Sequence, residues 1–147
     1  MTRYFEDFVV GDTFELGDTT MTRESMLAFA TQYDPQPFHV DEEKARDSVF
    51  GGLIASGWQT AALFMRLVVD NLLCDTLSMG SPGLDEIRWL KPVRPGDTLR
   101  ARFTVLDTIP STRKSDRGTV RSLGEMLNQR DEVVMTLKGL HILGRRS

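Results

Sequence analysis

At 147 residues the chain is sized for one domain, and a net charge of −3 gives it no basic surplus for binding nucleic acid. Apolar residues make up 40 % and charged residues 27 %, which suits a packed core and excludes a disordered chain. The single cysteine, Cys74, excludes an internal disulfide and fits a reducing, cytoplasmic setting.

Residues 1–8 are acidic and carry no apolar segment, so no signal peptide is expected. Residues 12–20 give a weak strand pattern. Thr22 reads as a helix N-cap, with Met21 and Met26 placed as a hydrophobic staple, and a helix follows over residues 23–32.

Next comes Tyr33-Asp34-Pro35-Gln36-Pro37-Phe38-His39-Val40-Asp41. Asp34 and His39 would diverge by about 140° on a helix. On a strand they would face opposite sides. The two prolines disfavour helical angles at Asp34 and Gln36 and predict a rigid loop. Such a loop can aim a carboxylate and an imidazole at one water, which makes an acid/base pair. The plainer alternative is a Pro-rich connector, with Asp34 capping a turn and His39 packed beside Phe38 and Val40. Asp41 then caps a short helix over residues 42–46.

Ser56 is the next N-cap, ahead of a long helix predicted over residues 57–77. That helix is apolar on nearly every side, so it should be buried, with Trp58 in the core and Cys74 a buried, inert thiol. It also carries Gln59, Arg66, Asp70, Asn71 and Asp75, so it is not expected to span a membrane. Strands are predicted over residues 84–90, 99–106, 119–128 and 133–143. Pro95-Gly96 turns the chain before the second of these, and Gln129-Arg130-Asp131 joins the last two. Trp89 reads as core, and His141 as structural or interfacial. With no helix between them the strands should be antiparallel, giving an α+β fold in which a sheet wraps one long helix. One cysteine and two distant histidines offer no metal-ligand spacing, and Gly51-Gly52 is no phosphate loop. No metal and no organic cofactor is expected.

Three blocks in this order resemble the MaoC-like dehydratase family, which includes the R-specific enoyl-CoA hydratases. They are Asp34 to Asp41 with Ala45, Ile54-Ala55-Ser56-Gly57 with Thr60, and Ile87 to Leu99 followed by Asn128-Gln129. The resemblance covers about residues 5–143 and implies a hot-dog fold, with residues 1–147 as a single MaoC-like domain. It departs from the family at three positions. Tyr33 stands where glycine is usual, Gln36 where asparagine is usual, and Ser56 where histidine is frequent. The first two bear on acyl specificity.

The resemblance implies reversible hydration of a trans-2-enoyl thioester to an R-3-hydroxyacyl thioester. Asp34 and His39 would hold one water between them. Gly57, at a helix N-terminus with an unpaired N–H, is the candidate donor to the thioester oxygen. Gln36, Phe38 and Ser56 are substrate-binding candidates. Arg88, Lys91 and Arg94 are candidates for the phosphates of coenzyme A, with Arg113, Lys114 and Arg117 as a second basic group. The implied substrate is a thioester of coenzyme A or of acyl carrier protein, with no nucleic acid or membrane partner. A homodimer or an assembly of dimers is expected, because the apolar helix needs more cover than one sheet gives. The competing functions are a hot-dog acyl-CoA thioesterase, which would want a carboxylate on or near the long helix, and a non-catalytic acyl-CoA-binding protein.

Overall fold

The computed structural model describes residues 1–147. In chain order the elements are β1 (Thr13–Thr20), α1 (Arg23–Tyr33), α2 (Pro37–Val40), α3 (Glu42–Arg46), α4 (Gly57–Asn71), β2 (Leu84–Trp89), β3 (Thr98–Pro110), β4 (Arg117–Leu127) and β5 (Val133–Gly144). The five strands form one sheet in the order β1-β3-β4-β5-β2, with every neighbouring pair antiparallel. β3, β4 and β5 meander through hairpins. β2 departs from a simple meander: it pairs with β5 at the far edge, so the chain crosses the sheet end before β3 begins.

Alternation builds the sheet. Leu99, Ala101, Phe103 and Val105 of β3 are all buried, while Arg100, Arg102 and Thr104 are partly exposed on the other face. Thr60, Phe64, Leu67 and Val68 form the buried stripe of α4 at helical spacing. Phe64 sits over Gly124 of β4, where a Cβ would come within 2.3 Å of the ring. Glycine there is a seat for the helix. This is the hot-dog arrangement, a long helix packed on an antiparallel sheet.

The three N-caps are formed. Thr22 accepts from the Ser25 N–H at 3.2 Å, Asp41 from Lys44 at 3.0 Å and Ser56 from Trp58 at 3.3 Å. β1 is irregular because Gly17, at φ +83°, shifts its register between Glu15 and Asp18.

Several expectations are corrected. The loop from Asp34 to Asp41 contains a helical turn, α2, with Pro37 at its start, where a missing N–H costs nothing. α4 ends at Asn71 rather than residue 77. The Asn71 amide donates to Leu67 O and to Leu16 O of β1, and Leu72 leaves the helical region. Cys74 is exposed in the short turn that follows. α4 is not covered all round, since Trp58, Met65 and Val69 are exposed on its outer side. Trp89 is also exposed rather than core. No helix is long and apolar enough to cross a membrane.

His141 of β5 lies against Phe103, with Nε2 3.1 Å from Ser122 Oγ. Burial pushes its pKa down to about 4. The folded state therefore holds this imidazole neutral, while the unfolded chain binds a proton below about 6.5. The stability from this site is fully present above pH 6.5 and is lost as pH falls toward 4, on the order of 3 kcal/mol. Urea midpoints should fall between pH 7 and pH 5, and His141→Gln should flatten that fall. An equal fall in the variant would assign the acid sensitivity to other groups.

Candidate active site

α1 ends at Tyr33, and the Asp34 N–H still donates to Ala30 O, at 2.8 Å. Asp34 leaves the helix at φ −152°, and Gln36 is extended at φ −67°, ψ 144°. Pro35 and Pro37 favour both breaks. The chain then turns once through α2. The Ile54 N–H pins that turn by donating to Phe38 O at 3.1 Å. These steps bring the His39 ring back beside Asp34.

His39 is buried. Its Nδ1 lies 2.8 Å from the carbonyl oxygen of Ile54. A carbonyl only accepts, so Nδ1 carries the proton and Nε2 is the free basic position. Nε2 is 3.3 Å from Asp34 Oδ2. Asp34 is held in turn by two donors. Gln36 Nε2 donates to Oδ1 at 2.7 Å, and Ser56 Oγ donates to Oδ2 at 2.8 Å. Desolvation, the largest single influence, raises the Asp34 pKa. The hydrogen bonds from Gln36 and Ser56, with the His39 ring alongside, together outweigh it and hold the carboxyl below its ordinary range. At neutral pH Asp34 is therefore a carboxylate.

The pair opens on a cavity of about 430 Å³. Gly57, Trp58, Trp89 and Phe50 form much of its wall. Trp58 and Trp89 meet edge to face, with centroids 5.1 Å apart, and Trp89 Nε1 donates to Gly57 O at 2.9 Å. A Cβ on Gly57 would lie 2.4 Å from the Trp89 indole. Glycine is thus required by close approach, and the ring is the approaching group. The Gly57 N–H, at the start of the fifteen-residue α4, finds no acceptor in the chain. It remains free to donate to a bound anion.

The remaining sequence candidates divide. Gln36 lines the cavity, but its amide is committed to Asp34. Ser56 is fully buried and bridges Asp34 to the Trp58 N–H instead of meeting a ligand. Phe38 lies off the cavity, edge-on to His39 at 4.6 Å and against Phe50 at 5.2 Å. It supports the imidazole from behind. Lys91 lines the cavity and pairs with Glu132 at 2.7 Å. Arg88 does not line it, and pairs with Glu86 on the same strand. Arg94 lines a different cavity. Arg113 and Lys114 lie on the β3–β4 hairpin, and Arg117 pairs with Asp116. Sequence reasoning missed Trp58, Trp89 and Phe50 as wall residues. Trp58 directly follows Gly57, and that adjacency was the available signal.

Replacing Gln36 with Leu removes one charge-assisted bond from Asp34 while keeping volume. The physical expectation is about a tenfold loss of turnover. Losing that bond also raises the Asp34 pKa, so the acid limb of the rate profile moves to higher pH. An unchanged acid limb would show that Gln36 does not set the carboxylate. No group of three or more His, Cys, Asp or Glu side chains is placed to hold a metal ion.

A family profile described as a MaoC like domain matches residues 7–125. The uncharacterised protein YdeM of Bacillus subtilis is 31 % identical over 126 residues, covering 86 % of this chain and 88 % of its own. The (R)-specific enoyl-CoA hydratase of Rhodospirillum rubrum is 29 % identical over 137 residues, covering 90 % of each chain. Among solved structures, the MaoC-like dehydratase from Rhodospirillum rubrum matches with a TM-score of 0.88 at 43 % identity, over 98 % of both chains.

Proposed function

The chain belongs to the MaoC-like hydratase/dehydratase family, and from that premise we propose that it hydrates a trans-2-enoyl thioester reversibly to the R-3-hydroxyacyl thioester. The observation that carries this reading is His39 Nε2 facing the Asp34 carboxylate at 3.3 Å on the cavity wall, with Nδ1 committed to Ile54 O. Water held between the two gives one hydrogen to a bond with Asp34 and the other to Nε2. As Nε2 takes its proton, the oxygen adds to C3 of the enoyl group. The C2–C3 π electrons shift toward the thioester oxygen, where the Gly57 N–H meets the developing charge. The imidazolium, stabilised by Asp34, then returns its proton to C2. OH and H thus add to the same face, and the enzyme ends as it began.

We propose residues 1–147 as one catalytic domain and a thioester of coenzyme A or acyl carrier protein as its substrate. The direct test is turnover of enoyl- and 3-hydroxyacyl-CoA thioesters of varied chain length, followed by loss or gain of the enoyl absorbance. Turnover of at least one such pair in both directions is expected. Thioester hydrolysis without hydration would replace this reading with a thioesterase.

The exposed Trp58, Met65 and Val69 leave an apolar stripe on α4. A second copy in C2 pairing would cover it. Sedimentation at micromolar concentration should give a dimer or a multiple of one, and Met65→Lys should weaken it and lower activity together. A fully active wild-type monomer would refute the pairing.

A further inference from the structure

Arg23, Arg46 and Arg94 line a second cavity, of about 270 Å³, that the catalytic site does not use. Glu42 is the one carboxylate among its lining residues, and it is ion-paired to Arg23. Neither Arg46 nor Arg94 forms an ion pair. Arg94 is held in place by donating from Nη2 to Phe50 O at 2.6 Å. The neighbouring Asp97 does not neutralise it. One Asp97 oxygen takes the Arg94 backbone N–H at 2.9 Å, and the other takes the Gln129 amide at 2.9 Å.

Backbone donors complete the wall. Gly51 sits at φ +67°, and a Cβ on Gly52 would approach Arg94 Nη1 to 3.4 Å. The guanidinium therefore lies directly against the glycine backbone. The N–H groups of Gly52 and of the buried Leu53 have no acceptor in the chain. Three arginines converge on one concavity, and two unpaired backbone N–H groups on its lining residues are left to find a partner there. Three guanidiniums against one carboxylate give a local surplus of positive charge in a chain of net charge −3. Guanidinium forks and free N–H groups together match the oxygens of a phosphate.

We propose that this cavity binds phosphate, and that the phosphate belongs to the carrier of the thioester. The two cavities adjoin in sequence and space. Phe50, Ile54 and Val93 line the catalytic cavity, and residues 51–53 with Arg94 and Pro95 line this one. The flexible arm between a thioester and its phosphates can link them. The identity of the phosphate rests on the hydratase reading, whereas the existence of the site does not.

The test is a calorimetric titration of the whole chain with inorganic diphosphate at low salt. Saturable binding is expected, weakened about tenfold by Arg46→Gln, whose exposed position on α3 keeps the fold intact by circular dichroism. No saturable binding, or equal affinity in the variant, overturns the site. Competition then identifies the source. Displacement by coenzyme A but not by 4′-phosphopantetheine assigns the site to the nucleotide phosphates of coenzyme A. Displacement by both assigns it to the phosphate every carrier arm shares, and displacement by neither overturns the carrier assignment. With substrate, Arg46→Gln should raise KM about tenfold for a coenzyme A thioester at unchanged kcat. It should leave the phosphate-free N-acetylcysteamine thioester unaffected. Diphosphate binding without any thioester turnover would sink the hydratase reading and leave the site standing.

Discussion

Asp34→Asn and His39→Gln should each lower turnover by at least about 100-fold while leaving the fold intact, the loss expected for a general acid–base pair. Asp34→Asn keeps the volume and removes the charge that stabilises an imidazolium. It also sets an amide before two committed donors, Gln36 Nε2 and Ser56 Oγ. His39→Gln removes the imidazole nitrogen that faces Asp34 at the cavity wall. It unpairs the Ile54 carbonyl as well, at a cost to stability of about 1–3 kcal/mol. Melting temperatures read beside initial rates separate the two effects. Activity near that of the wild type in either variant refutes the assignment.

Gly57→Val should damage turnover about as severely, by roughly 100-fold, the size of effect that follows loss of one oxyanion donor. The new Cβ would enter the space of the Trp89 indole. Trp89 is 44 % exposed and can swing outward, so the fold survives. The displaced ring and the added methyl groups then cover the free N–H and deform the cavity wall. A variant that unfolds readily yet keeps its specific activity would reduce Gly57 to a packing residue and place the oxyanion donor elsewhere.

The parts of the chain that were legible are those where local chemistry decides structure. Thr22, Asp41 and Ser56 cap helices because short polar side chains reach unpaired N–H groups two or three residues on. The alternation from Leu99 to Val105 had one consistent reading, and the structure buries one face of it. The pairing of Asp34 with His39 was legible in part: the two prolines predicted a rigid break but left a plain connector as an equal alternative, the resemblance favoured the pair, and the turn of α2 that closes it was not foreseen.

What escaped was set by distant groups. α4 stops at Asn71 because a carbonyl of β1, Leu16 O, lies within reach of its amide, and no local pattern reports that contact. Cys74 consequently falls outside the helix and into solvent. Apolar periodicity could mark α4 as hydrophobic, but it could not tell which side the sheet would leave uncovered. Trp58 was assigned to the core for that reason, and Trp89, assigned there too, ends edge strand β2 with its ring exposed against Gly57. Arg88, Lys91 and Arg94 are close in sequence, yet β2 ends between the first and the others. One faces a strand neighbour, one the catalytic cavity and one the arginine-lined cavity.

The central claim is that one water, held between Asp34 and His39, supplies both atoms of the addition. Hydration of a trans-2-enoyl-CoA in D2O, with the product resolved by chirality and by NMR, tests it most directly. A single R-3-hydroxyacyl thioester with one deuterium at C2, added to the same face as the hydroxyl, is the predicted result. An S product, addition to opposite faces, deuterium spread over both C2 positions, or no hydrated product would contradict it.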